Sequence, residues 1–223
     1  MTNQDTVAAL YADFAQMAIE VGQHAWGIAN LTMREKVFVF VAADLCARSL
    51  GFALKTHVEM ARSQGVSVAS IREAVHHLAP YVGYPTAAEA LIALAEIDGA
   101  DAPDPQRADR LEVDATTLHR IDGLDAQFAG FVQRQYADRW GRPDLTVRER
   151  ALCTIATDVL NGTLDESFAL HVDLALGHGA GMAQVRAVLL LVAESVSPRR
   201  GGPTARLNHS AATRTRRGLD RCP

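Results

Sequence analysis

The sequence predicts an all-α protein built from two tandem, pseudo-equivalent repeats, and three observations carry that expectation. The first is self-similarity. Leu31-Thr-Met-Arg-Glu-Lys returns as Leu145-Thr-Val-Arg-Glu-Arg, and His57-Val-Glu-Met-Ala returns as His171-Val-Asp-Leu-Ala, each at an offset of 114 (171 minus 57). The same offset relates Phe14 to Phe128, Trp26 to Trp140, Asp44 to Asp158, Gly65 to Gly179 and Arg72 to Arg186, with no gap from Phe14 to Val82 or from Phe128 to Val196. A register kept that long marks a duplication, which must be settled before single elements are read. The second observation is apolar spacing of three and four residues, the period of an amphipathic helix. The third is a pair of matched helix-start signals, Thr32-Met-Arg-Glu35 and Thr146-Val-Arg-Glu149. In such a capping box the threonine hydroxyl takes an orphan amide and the glutamate reaches back.

In chain order, Leu10, Phe14, Met17 and Val21 predict a helix over about 6–24, followed by a loop through Gly27 and Asn30. The capping box at Thr32 opens the next helix. Its run Val37-Phe-Val-Phe-Val41 is rich in strand-forming residues, but the box before it and Ala42-Ala-Asp-Leu-Cys-Ala after it favour a buried helix. Ser49-Leu-Gly51 breaks the chain, and Asn161-Gly-Thr163 does so more plainly in the second copy. The helix carrying His57 ends near Gly65. Ser67 caps a helix over 68–79 that Pro80 is expected to stop. Gly83-Tyr-Pro85 reads as a turn, and Thr86-Ala-Ala-Glu89 as a further capping box opening a helix to about Ile97. The second copy repeats the plan with a helix from about Leu124 to Asp138, then Trp140, the box at Thr146, the break, and the helix carrying His171.

This places a first repeat at 1–98, a linker at 99–112, a second repeat at 113–205 and an Arg-rich tail at 206–223. Asp98-Gly-Ala-Asp-Ala-Pro-Asp-Pro105 supplies the turn formers of the linker. Pro198-Arg-Arg-Gly-Gly-Pro203-Thr-Ala echoes Gly83-Tyr-Pro-Thr-Ala with four residues added. Arg206, Arg214, Arg216, Arg217 and Arg221 crowd the tail, which reads as a solvated end.

The 223 residues are 48% hydrophobic and 22% charged, enough for a real core. A net charge of −4 gives no reason to expect nucleic acid. No apolar run reaches the roughly 18 residues of a membrane span, and the polar, acidic start is not a signal peptide. Cys46, Cys153 and Cys222 are odd in number, and Cys46 and Cys153 do not match across the repeats. A disulfide framework is not expected, and a reducing cytoplasm fits.

Taken together, Leu-Thr-x-Arg-Glu, a helix, a break, His-Val-x-x-Ala, a later Gly, Ile/Val-Arg and Gly-Tyr-Pro-x-Ala resemble the carboxymuconolactone decarboxylase family and its relatives, the AhpD-like alkylhydroperoxidases. The resemblance covers about Thr32 to Ile97 and Thr146 to Val196. It implies the AhpD-like helical fold and an assembly of subunits, here a homotrimer (a pseudo-hexamer of repeats) or another homo-oligomer. The peroxidase branch places Cys-x-x-Cys before the histidine and a glutamate further upstream. Those positions hold Leu50, Ala53 and Phe38 in the first copy and Leu164, Ser167 and Leu152 in the second. Thiol peroxidase chemistry is therefore the least favoured of the functions considered. The decarboxylase branch uses histidine as acid or base and implies no cofactor.

His57 and His171 inherit that histidine position, since imidazole titrates near working pH. Packing alone is the competing reading for each ring. Asp44 and Asp158 form a second matched pair, thirteen residues ahead of each histidine (57 minus 44). A carboxylate on an apolar helix is costly unless paired. Contact with the ring would orient it, while a structural ion pair explains the acid equally well. Glu166 is a candidate acid for the second histidine, although Thr163-Leu-Asp-Glu166 also reads as a capping box. Arg48 is a candidate cation for an acidic substrate, His77 could face the His57 pocket, and Tyr84, like Tyr81, flanks the Gly83 turn. Trp26 and Trp140 read as core anchors. No metal site is expected, because the positions one turn either side of His57 are Ala53 and Ala61.

Two functions of different class follow. One is a cofactor-independent lyase, decarboxylase or isomerase acting on a small cyclic, lactone- or polyketide-like acid. The other is a binding or assembly protein that kept the fold and lost the reaction.

Overall fold

A computed structural model describes residues 3–97, 111, 113 and 115–195. The 99–112 linker apart from Leu111, Pro198–Ala205, Cys222 and the Arg-rich tail fall outside the described residues.

The described elements are all helices. In the first repeat they are α1 (Asn3–Leu10), α2 (Ala12–Gly27), α3 (Met33–Ala47), α4 (Phe52–Ser63), α5 (Val68–Val82) and α6 (Tyr84–Ala95). In the second they are α7 (Ala115–Asp122), α8 (Ala126–Trp140), α9 (Val147–Asn161), α10 (Glu166–Gly177) and α11 (Met182–Ser195). By the 114-residue offset (145 minus 31), α2 to α5 correspond to α8 to α11.

The centre of the molecule is the pair α3 and α9, packed on each other across the repeats. Both capping boxes form in full, with Thr32 accepting from the Glu35 amide and Thr146 from the Glu149 amide. Every residue of α3 from Glu35 to Leu45 is buried, so Val37–Val41 is a helix with no solvent face. Each repeat also lends a helix to the other: α5 packs against α9 as well as α3, and α11 against α3 as well as α9. This exchange decides which residues surround each histidine.

Several local expectations are corrected. The helix expected over 6–24 is two helices, with Tyr11 in an extended conformation between them. Leu10, Phe14, Met17 and Val21 share a face, yet all four are exposed in the single chain. Pro80 does not stop its helix, since α5 runs through it to Val82. Pro80 and His76 are both exposed, so the carbonyl that the missing amide leaves unbonded lies on the side open to water. The helix stops instead at Gly83, whose φ of 91° suits glycine. Gly83 also begins α6 with Pro85 in its first turn, so Thr86 is a buried residue inside the helix and not its cap.

Candidate functional site: two Asp–His dyads in unequal settings

Each repeat presents its histidine to its aspartate. His57 Nδ1 lies 2.7 Å from Asp44 Oδ2, and His171 Nδ1 lies 2.6 Å from Asp158 Oδ2. The helix–break–helix segment produces this geometry twice. α3 and α9 end on left-handed residues, Arg48 (φ 56°) and Gly162 (φ 74°). The amides of Ser49 and Thr163 then return to the Asp44 and Asp158 carbonyls, both at 2.9 Å. The reversed chain lays α4 and α10 back across the aspartates. With Nδ1 facing a carboxylate, Nε2 is the nitrogen left for other chemistry.

The two dyads differ in support and access. Asp158 is held by three donors, because its Oδ1 also accepts from Thr163 Oγ1 at 2.8 Å and Ser167 Oγ at 3.0 Å. Alanine at position 53 replaces Ser167 in the first copy. Asp44 is buried, and burial pushes its carboxyl above the usual range, opposed in part by the hydrogen bond and charge of His57. The His57 side chain is 23% exposed and that of His171 is 3%. Phe40 stacks on His57 with ring centroids 4.6 Å apart, and Trp26 lies behind Phe40.

His171 sits among rings. Trp140 stacks on it at 5.9 Å, and Tyr81 meets it edge-on at 5.5 Å with its hydroxyl 3.5 Å from Nε2. Tyr81 comes from the first repeat, at the end of α5. His77, one turn earlier on the same helix, contacts both Trp140 and Tyr81. His77 therefore serves the second histidine, not the His57 pocket where the sequence suggested it. Its Nε2 lies 3.0 Å from Thr154 Oγ1, whose own proton goes to the Arg150 carbonyl at 2.7 Å. Nε2 of His77 must then be the donor, which leaves Nδ1 as an acceptor, buried and without a partner among the described residues. Burial first, then the nearby Arg150 and Arg139, hold His77 well below the ordinary histidine range.

The remaining candidates lie apart. Glu166 does not reach His171; its carboxylate pairs with Arg120 on the surface and is 80% exposed. Nor does Thr163 cap α10, for Asp165 occupies the cap position and the Thr163 hydroxyl is spent on Asp158. Arg48 is exposed, and its left-handed backbone explains why the second copy has glycine there. Tyr84 is 59% exposed and makes no hydrogen bond or ring contact with either histidine among the described residues. Cys46 and Cys153 form no disulfide among the described residues, and burial pushes the Cys153 thiol up to about 12. No cluster of three or more His, Cys, Asp or Glu among the described residues is arranged to hold a metal ion.

Sequence reasoning underrated Tyr81 and Trp140. The one available signal was the four-residue spacing of His77 and Tyr81, which puts both on one face of α5. That this face belongs to the other repeat's histidine required the packing of α5 on α9.

The model of the carboxymuconolactone decarboxylase family matches residues 12–96 and again 126–207. The chain belongs to this family. Its two matches coincide with the two copies of the Asp–His segment. A crystal structure from Burkholderia xenovorans LB400, assigned as a gamma-carboxymuconolactone decarboxylase subunit, is similar with a TM-score of 0.55 and 19% identity. The likeness covers 96% of this chain and 92% of that one and is a likeness of fold. No curated protein sequence matches the chain significantly. Within the decarboxylase family, the tandem arrangement here puts both Asp–His pairs in one polypeptide, with α5 and α11 crossing between them.

Proposed function

We propose that this protein is a cofactor-independent lyase, decarboxylase or isomerase that moves protons with its Asp–His dyads on a small cyclic, lactone- or polyketide-like acid. The observation that carries the reading is the same short Asp–His hydrogen bond formed twice, at 2.7 and 2.6 Å, on a buried carboxylate. A carboxylate behind the ring fixes its orientation and stabilises the imidazolium that appears when Nε2 takes a proton. Membership in the decarboxylase family supports that class of reaction.

Replacing His57, His171 and both with glutamine, and assaying against lactone and β-keto acids, tests the reading. Turnover lost in the double variant upholds it. Full turnover in that variant rejects it, as does saturable binding without product that is indifferent to either replacement; the latter result would mark a binding protein.

The chain is also proposed to work as a homo-oligomer, a homotrimer or a related assembly. Leu10, Tyr11, Phe14, Met17 and Val21 at the α1–α2 junction and along α2, with Leu124, Phe128 and Phe131 around the start of α8, are all exposed in the single chain. Apolar surface repeated at equivalent places in both repeats is what a symmetric assembly would cover.

A further inference from the structure

We propose that Tyr81 and Trp140 form a donor pair beside His171 that binds the carbonyl oxygen of the substrate and holds it as an enolate, making the second dyad the reacting one. This rests on the acid–base reading above and assigns roles to two residues outside the dyads.

Three independent observations meet at this place. Trp140 is fully buried, yet its indole N–H has no hydrogen-bond partner among the described residues. A buried donor left unpaired costs on the order of 1–3 kcal/mol, so a native structure that keeps one calls for an acceptor from outside the chain. The Tyr81 hydroxyl is 3.5 Å from His171 Nε2, too long for a good O–H···N bond. It therefore has a proton to give elsewhere. Trp140 stacks on His171 and Tyr81 meets it edge-on, so both donors stand beside the same ring. Burial holds the phenol above its usual range, which keeps the hydroxyl protonated and able to donate.

The chemistry follows from these positions. With Nδ1 facing Asp158, His171 Nε2 takes a proton from the carbon next to a carbonyl. The C–H electron pair becomes the C=C bond, and the carbonyl π pair moves to oxygen, where the Tyr81 O–H and Trp140 N–H receive it. Return of the proton to a different carbon completes an isomerisation. In a β-keto acid the same donors would receive the electron pair released as the bond to the carboxylate breaks and carbon dioxide leaves. His171, having taken the acid's own carboxyl proton before that bond breaks, then supplies it to carbon. Neither route needs another reactant. The substrate class is thus an acid with a carbonyl placed to enolise. Tyr81 is the partly exposed member of the group.

The first dyad lacks this equipment. The positions corresponding to His77 and Tyr81 are Leu191 and Ser195 on α11, and the Ser195 hydroxyl is tied to the Leu191 carbonyl of its own helix at 2.6 Å. Phe40 stands where the second copy has Thr154.

The probe is 4-nitrophenol, an enolate mimic whose ionisation is read by absorbance, added to the full chain. The expected result is saturable binding with formation of nitrophenolate. Tyr81→Phe should weaken it about tenfold or more, and His171→Gln should abolish the ionisation. The NMR signal of the Trp140 indole proton, assigned with Trp26→Phe, should move downfield on binding in the otherwise unaltered protein. That measurement needs no change at the buried tryptophan. Absence of binding, or binding indifferent to Tyr81→Phe, would overturn the proposal. If turnover needs the dyads but tolerates Tyr81→Phe, only the donor pair is wrong. If the double histidine variant still turns over, the acid–base reading itself fails.

Discussion

Arg34 of the first repeat reaches Glu149 of the second, Nε to Oε1 at 2.6 Å, while the same glutamate caps its own helix through Oε2. The offset of 114 (148 minus 34) generates the reciprocal pair, Arg148 with Glu35 at 2.8 Å. The motif that starts each central helix therefore also joins the two repeats. The pairs are not equal, because the Arg148 Nε–H is not aimed at an acceptor despite the short separation. Removing the Glu149 carboxylate deletes a cap and leaves the mostly buried Arg34 guanidinium without its carboxylate, held by Ser70 Oγ and the Asp144 carbonyl. Glu149→Ala is expected to cost about 2–4 kcal/mol, and Arg148→Ala distinctly less. Urea unfolding of the two variants measures both, and equal losses would contradict the ranking.

Stability should fall on mild acidification through His77. Its folded form resists protonation, whereas the unfolded chain takes up a proton near the ordinary value of 6.5. Below that pH the unfolded state binds more protons, so stability drops as pH falls and recovers as it rises, by about 1.4 kcal/mol per unit for one group. His77→Leu, which copies Leu191 of the other repeat, is expected to flatten this slope between about pH 6.5 and 5. Unfolding midpoints across that range would reveal it, and an unchanged slope would show that His77 is not its source.

The two histidines should differ in reactivity toward an acylating reagent. His57 is 23% exposed and offers Nε2, whereas His171 at 3% lies behind Tyr81 and Trp140. Mass spectrometry after diethyl pyrocarbonate treatment should find His57 modified faster than His171, and Tyr81→Ala should narrow the gap. Equal labelling of the two rings in the unaltered protein would contradict the burial described.

Assembly is tested at the exposed face of α2. Phe14 and Met17 are 53% and 54% exposed in the single chain. Phe14→Glu combined with Met17→Glu should convert an oligomer into monomers, read by light scattering during size exclusion. A monomeric parent protein, or an oligomer untouched by both charges, would count against the proposed contact.

Most of the fold could be read from the chain because its decisive signals are local. Thr32 and Glu35 announce a helix start from three residues, and the same four-residue signature at Thr146 repeats the announcement. The duplication then assigns Asp44 and His57 their partners Asp158 and His171 without any knowledge of packing. Local rules failed where tertiary position decides. Pro80 is tolerated because its face of α5 meets water, and Thr163 abandons the cap because Asp158 offers a better bond. The role of His77 was misplaced for the same reason. Its sequence neighbours belong to one repeat and its spatial neighbours to the other.

The contact between Tyr81 and His171 has no mirror image at Ser195 and His57. Two identical unfused subunits around a twofold axis would be obliged to make that contact twice or not at all. Joining the copies in one chain lifts the obligation, so a change that suits one chamber is no longer imposed on its twin. Selection can then act on each chamber separately while the common frame of central helices is kept.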